Sequence, residues 1–164
     1  MKLIIAGTRP PDYIVKNVKK YAEWMVRLYN LCVYDGGDDG LRPGLMVTRW
    51  SKGKTIRTAF HPTADLKFES VDEIDNGDAY GGDHLGVIIG NNYCIKVETF
   101  KADWKANLKA AGMIRNREMA EHADELYLVW DGKSSGSRNM KEEMIKREKP
   151  VHELVIKDWT LGVK

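Results

Sequence analysis

Glu125-Leu126-Tyr127-Leu128-Val129-Trp130 runs into Asp131-Gly132-Lys133-Ser134-Ser135-Gly136-Ser137-Arg138-Asn139, and this stretch decides the fold. Its first six residues are a continuous run without polar alternation, the pattern of a strand buried on both faces of a parallel sheet. The Gly/Ser turn after it predicts a helix start with Ser137 as cap, and Met140, Met144 and Ile145 supply the helix's apolar face. Glu142 and Glu143 suit the positive end of that helix. Strand, polar turn and helix make half of a βαβ unit.

The same rhythm recurs outward from this stretch. Leu3-Ile4-Ile5-Ala6 ends at Gly7-Thr8-Arg9, and Pro11 opens a helix whose Ile14, Val18, Tyr21, Met25 and Leu28 recur at spacings of three and four. Residues 71–75 read as a strand that leads through 76–83 into a helix with Leu85, Val87, Ile88, Ile89 and Tyr93. Residues 95–100 alternate like a strand, 112–123 are helical and 151–156 form a last strand. The expected architecture is α/β and Rossmann-like: a mostly parallel sheet of about five core strands flanked by helices. One domain is expected over residues 1–164, interrupted by a β-hairpin at about 36–70.

That hairpin has its own chemistry. Between Leu41 and His61 there are five Lys/Arg and no acid, whereas between Asp65 and Asp83 there are seven acids and only Lys67. The basic stretch reads either as a solvated sheet edge that resists aggregation or as an arm over a pocket or nucleic acid, with Trp50 as a stacking platform.

Composition narrows the class. A net charge of +2 over 164 residues does not mark a dedicated nucleic-acid binder. No run approaches a membrane span, and the start is too short for a signal peptide, so a cytoplasmic protein with no membrane partner is expected. Cys32 and Cys94 lack C-x-x-C spacing and are expected as buried, reduced thiols. His61, His84, His122 and His152 show no ligand spacing, so neither metal nor cofactor is expected; Asp75, Asp78 and Asp83 are the one weighed Mg2+ alternative. The G-x-x-x-x-G-K-[ST] and G-x-G-x-x-G motifs are both missing.

The glycines, hydroxyls and charges gather where strands end. In a parallel sheet these turns share one edge, where ligands of open α/β sheets bind. The candidate ligand-binding residues are Gly7, Thr8, Arg9, Gly77, Gly81, Gly82, Asp131, Gly132, Ser134, Gly136, Ser137 and Arg138 at or just after these turns, with Arg115 and Asn116 from the start of the 112–123 helix. Glycines let backbone approach a ligand, and guanidinium forks hold phosphate. Glu118 is the first candidate for a catalytic carboxylate, because it shares a helix face with Arg115; Asp83 is the second.

Three segments resemble the YspA-type branch of the SLOG superfamily: residues 110–120, Ala123-Asp124, and residues 130–140. Ile5-Ala6-Gly7-Thr8-Arg9 is similar to that family's first strand and G-S-R turn, residues 76–83 to its S-G-G-A-R-G-A-D loop, and Ala102-Asp103-Trp104 to its A-D-W. Thr8 stands where the family has Ser, Asp78 where it has Gly, and Tyr80 where it has Arg. The superfamily includes the LOG phosphoribohydrolases and DNA-processing protein A. The resemblance implies a Rossmann-like fold holding a small nucleotide or nucleotide-derived ligand at the strand ends. Some members cleave N-glycosidic bonds, while others only bind nucleotide signals or DNA. Three functions stay open: hydrolysis of an N-glycosidic bond in a nucleoside monophosphate or related nucleotide, non-catalytic sensing or sequestration, and single-stranded nucleic-acid binding. A homo-oligomer is the expected assembly.

Overall fold

The computed structural model describes residues 1–33, 46–51, 54–58 and 70–164, with side chains described outside 33–69. The elements run β1 (Lys2–Gly7), α1 (Asp12–Val15), α2 (Val18–Val33), β2 (Met46–Ser51), β3 (Lys54–Thr58), β4 (Glu73–Asn76) and α3 (Gly82–Asn92). They continue with β5 (Lys96–Thr99), α4 (Trp104–Asn107), α5 (Ala111–His122), β6 (Glu125–Trp130), α6 (Ser135–Lys146) and β7 (Val151–Val155).

The strands form one sheet in the order β3-β2-β7-β6-β1-β4-β5. The five strands β7, β6, β1, β4 and β5 are mutually parallel, which makes the fold α/β and Rossmann-like. From β1 the chain builds outward through β4 and β5, then returns to add β6 and β7 on the other side. The winding direction therefore reverses between β1 and β6, and their carboxyl ends flank a topological switch point.

Alternation along β1 divides the core into two layers. Leu3 and Ile5 pack with Trp24 and Leu28 of α2 and with Leu85 and Ile89 of α3. Ile4 and Ala6 face Met119 and Ala120 of α5 and Met140 and Met144 of α6. Both faces of β1 and β6 are covered, which explains their unbroken apolar runs.

The first helix departs from its expected course. It breaks after Val15, and Asn17 restarts it by accepting the Lys20 N–H at 3.1 Å, as an N-cap does. The break shifts the helical phase, so Val18 is exposed while Trp24 is fully buried. Ser137 lies inside the first turn of α6, and Ser134 takes the cap position. Cys32 is buried as expected, but Cys94 is exposed in the turn after α3.

The hairpin strands pair as expected, and β2 pairs antiparallel with β7. Strands β2 and β3 thus continue the sheet at its β7 edge, with β7, β6 and β1 lying between them and β4, the strand they precede in sequence. The basic side chains Arg42, Arg49, Lys52 and Arg57, and Trp50, lie outside the described side chains.

A C-terminal segment closes over the β1–α1 connection. Trp159 meets Trp24 edge-on at 5.4 Å, and its carbonyl accepts the Trp24 indole N–H at 2.8 Å. The Trp159 indole N–H in turn donates to the Arg9 carbonyl at 3.2 Å. No helix among the described residues is long and apolar enough to cross a membrane.

Candidate functional site

Two backbones touch beside the switch point. A Cβ on Gly82 would lie 2.4 Å from Gly7 Cα, and one on Gly7 would lie 2.0 Å from the Val129 carbonyl oxygen. Only glycine lets the end of β1 and the start of α3 meet this closely. Gly81 precedes them with φ of 96°, and its N–H donates to the Tyr21 hydroxyl at 3.1 Å.

The β6 turn is organised by Asp131. Its Oδ1 accepts the N–H groups of Lys133 and Ser134 at 2.9 and 3.0 Å, an Asx-type turn. The Thr8 hydroxyl donates to the same oxygen at 3.3 Å and lies 3.2 Å from the Ser137 hydroxyl. The side chains of Thr8, Asp131 and Ser137 thereby bind the β1 and β6 exits together. The N–H groups of Ser135, Gly136 and Ser137 open α6 and have no intrahelical acceptor, so they suit an anion. A Cβ on Gly136 would meet nothing within 4 Å, so this helix end faces open space.

Arg115 and Asp83 form the opposite wall. The Arg115 guanidinium donates to the Gly77 carbonyl, and its Nε donates to Asn116 Oδ1 at 3.1 Å. A Cβ on Gly77 would lie 2.4 Å from Arg115 Nη1 and 2.8 Å from Asp83 Oδ2, so a larger residue here would displace both side chains. Asp83 is buried, and its Oδ2 accepts the Ala79 N–H at 3.1 Å. Burial pushes its carboxyl up to about 6, with the Arg115 charge pulling the other way.

Asn116 ties the two walls. It is buried, and its amide donates to the Gly136 carbonyl at 3.2 Å and to Asn139 Oδ1 at 3.0 Å. Asn116→Ala leaves those acceptors and Arg115 Nε without their partner, and we expect a loss of about 1–3 kcal/mol. Urea unfolding checks this, and an unchanged midpoint would show that the links carry no stability.

Two cavities meet at Arg115, Asn116 and Gly136. The smaller, about 150 Å3, is lined by Gly7, Thr8, Arg9, Gly77, Asp83, Ser134 and Ser137 among the expected residues. The larger, about 620 Å3, takes in Arg138 and adds Trp104, Lys109, Met113 and Lys133. Trp104 and Met113 are exposed, and Lys109, Arg115, Lys133 and Arg138 outnumber the single acid, Glu142. Gly81, Gly82, Asp131 and Gly132 line neither cavity and act as supports. Glu118 is exposed on α5 and lines neither.

Reasoning from strand ends does not find Lys109 and Met113, because they lie where no strand ends. The signal for them is the long connection from β5 to α5, which brings Lys109 and Gly112 toward the α6 start. Arg9 points partly away from the site, with its guanidinium 3.3 Å from Asp12. No protein family's profile, no curated protein and no solved structure matches this chain.

Proposed function

We propose that the protein binds a nucleotide across the two joined cavities and hydrolyses its N-glycosidic bond, in keeping with the SLOG-like segments. The reading is carried by one observation: the open N-terminus of α6, the Arg115 guanidinium and the buried Asp83 converge at a topological switch point. The α6 amides and Arg115 would hold the phosphate, and Trp104 would offer a face for the base. Asp83 would face the sugar. Cleavage of the bond between the anomeric carbon and the base develops oxocarbenium character, which a nearby carboxylate would stabilise; it would take the proton of the water whose oxygen bonds that carbon, while the base leaves with the bonding pair and takes up a proton from solvent. Near neutral pH Asp83, at about 6, is mostly ionised and still basic enough to accept that proton.

The test is a panel of nucleoside monophosphates incubated with purified protein, with released base and intact nucleotide both quantified. No released base with any of them would remove the hydrolase reading. Saturable binding with the nucleotide recovered intact would support a sensing or sequestering protein. Loss of turnover on Glu118→Gln but not on Asp83→Asn would move the carboxylate role to Glu118.

Arg115→Gln is expected to weaken binding of a nucleoside monophosphate at least about 30-fold, the worth of a charge-assisted hydrogen bond to phosphate. The matching nucleoside without phosphate should bind the variant and the parent alike. Calorimetry on both ligands checks this, and equal losses for the two would remove the phosphate role. A nucleic-acid site would instead show binding that falls steeply with salt.

A further inference from the structure

We propose that Glu73, Asp75 and His122 form a site for one divalent transition cation of the Zn2+ class, at the far end of α5 from the nucleotide pocket. One donor atom from each lies within 4.8 Å of the others. Glu73 and Asp75 are two apart on β4 and project from the same face of the sheet; His122 is the last residue of α5.

The two carboxylates are buried, yet Glu73 Oε1 and Asp75 Oδ1 have no hydrogen-bond partner. Buried carboxylate oxygens facing one another without donors call for a cation or a shared proton. The histidine favours the cation. Its Nδ1 lies 2.7 Å from Asp75 Oδ2, so an Nδ1–H donates there and the Nε2 lone pair faces away from Asp75, where a cation can take the place of the Lys2 ammonium. A carboxylate that orients the imidazole of a metal ligand in this way is a common second contact. Nε2 is 3.6 Å from Glu73 Oε1, close to the spacing of roughly 3.4 Å between two ligands of a tetrahedral Zn2+. The lone pair already attracts a positive group: Lys2 Nζ sits 3.0 Å from Nε2. Lys96 Nζ holds the other Glu73 oxygen at 2.7 Å and fixes that carboxylate.

An imidazole and a carboxylate as ligands, with Asp75 behind the imidazole, select a first-row transition cation over Mg2+ or Ca2+, which prefer all-oxygen shells. Its role would be to clamp α5 to β4. Arg115 lies seven residues before His122 on the same helix, about 10 Å away, and reaches the carbonyl of Gly77 just past β4. The clamp therefore braces the helix and strand that position Arg115. Histidine spacing cannot reveal this site, because its ligands come from two elements far apart in sequence.

The full chain, stripped with chelator at pH 7.5, should be titrated with Zn2+ by calorimetry against a competing chelator. One equivalent should bind, and unfolding should shift to higher temperature. His122→Gln and Glu73→Gln should each weaken binding at least about 30-fold, with folding verified by circular dichroism. Lys2→Met removes the competing ammonium and should tighten binding several-fold. Absence of one-to-one binding, survival of binding in both weakened variants, or unchanged affinity in Lys2→Met would overturn the proposal. The Lys2→Met arm decides the matter even if the other two variants fail to fold.

Discussion

Asp83→Asn is expected to yield a protein that is more stable at pH 7.5 and, under the proposed hydrolysis, nearly inactive. The folded state raises the Asp83 carboxyl to about 6, through burial. A raised carboxyl binds its proton more tightly when folded than when unfolded. Its favourable contribution is complete below about pH 4 and is lost as pH rises through about 6. Above that, the folded chain carries a buried negative charge that Arg115 only partly offsets. Asparagine carries no charge, and its carbonyl oxygen can still accept the Ala79 N–H. The variant should gain on the order of 1–2 kcal/mol at pH 7.5 and nothing at pH 4, read from urea midpoints at the two values. Turnover should fall about 10²- to 10⁴-fold, the usual contribution of a positioned acid or base. A residue that costs stability and supplies activity has the signature of a functional group. Equal stability gains at both pH values would sink the burial argument, and unchanged turnover would sink the catalytic one.

Gly82→Ala should be among the most damaging single-methyl changes in the protein. The added Cβ would lie 2.4 Å from both Gly7 Cα and Gly7 N, and 2.7 Å from the Ala6 carbonyl carbon. These are backbone atoms of the central strand, so no flexible side chain can retreat. Relief requires α3 to move away from β1, which opens the core around Leu85 and Ile89. We expect a loss of about 3 kcal/mol or more, lowering the melting temperature by roughly 10 °C. Gly136→Ala is the matched control, since a Cβ there meets nothing within 4 Å. In helix α6 that change should be neutral or stabilising by up to about 1 kcal/mol. Similar melting temperatures for the two variants would refute the close-approach argument.

The parallel strands were legible because burial on both faces leaves unbroken apolar runs, as in residues 3–6 and 125–130. Their glycine-rich exits marked the pocket, since Gly7, Gly77, Asp83, Arg115 and Ser137 do meet there. Other features were not legible, for physical reasons. Val18 matches a helical stripe, but the stripe assumes one continuous helix, and the Asn17 cap resets the phase. Glu118 shares a helix face with Arg115, yet helical spacing does not say which side of that face looks into a cavity. The pairing of β2 with β7 is a long-range choice that alternation within the hairpin cannot encode. The Glu73–Asp75–His122 cluster needs the packing of α5 on β4 to exist at all.

The position of β1 at the centre of the sheet has a kinetic consequence. Its register partners on β6 begin at Glu125, opposite Leu3, so the central pairing closes a loop of more than a hundred residues. Such non-local pairing is slow, because chain entropy is lost before the contact is gained. A nascent chain that has emerged only as far as α5 holds β1 with one neighbour, and half of its edge is unpaired. The Thr8–Asp131 link and the Trp159 bond to the Arg9 carbonyl can form only later. The cleft at the strand ends is thus a product of the last stages of folding, and until then the exposed edge of β1 is the segment most open to wrong partners.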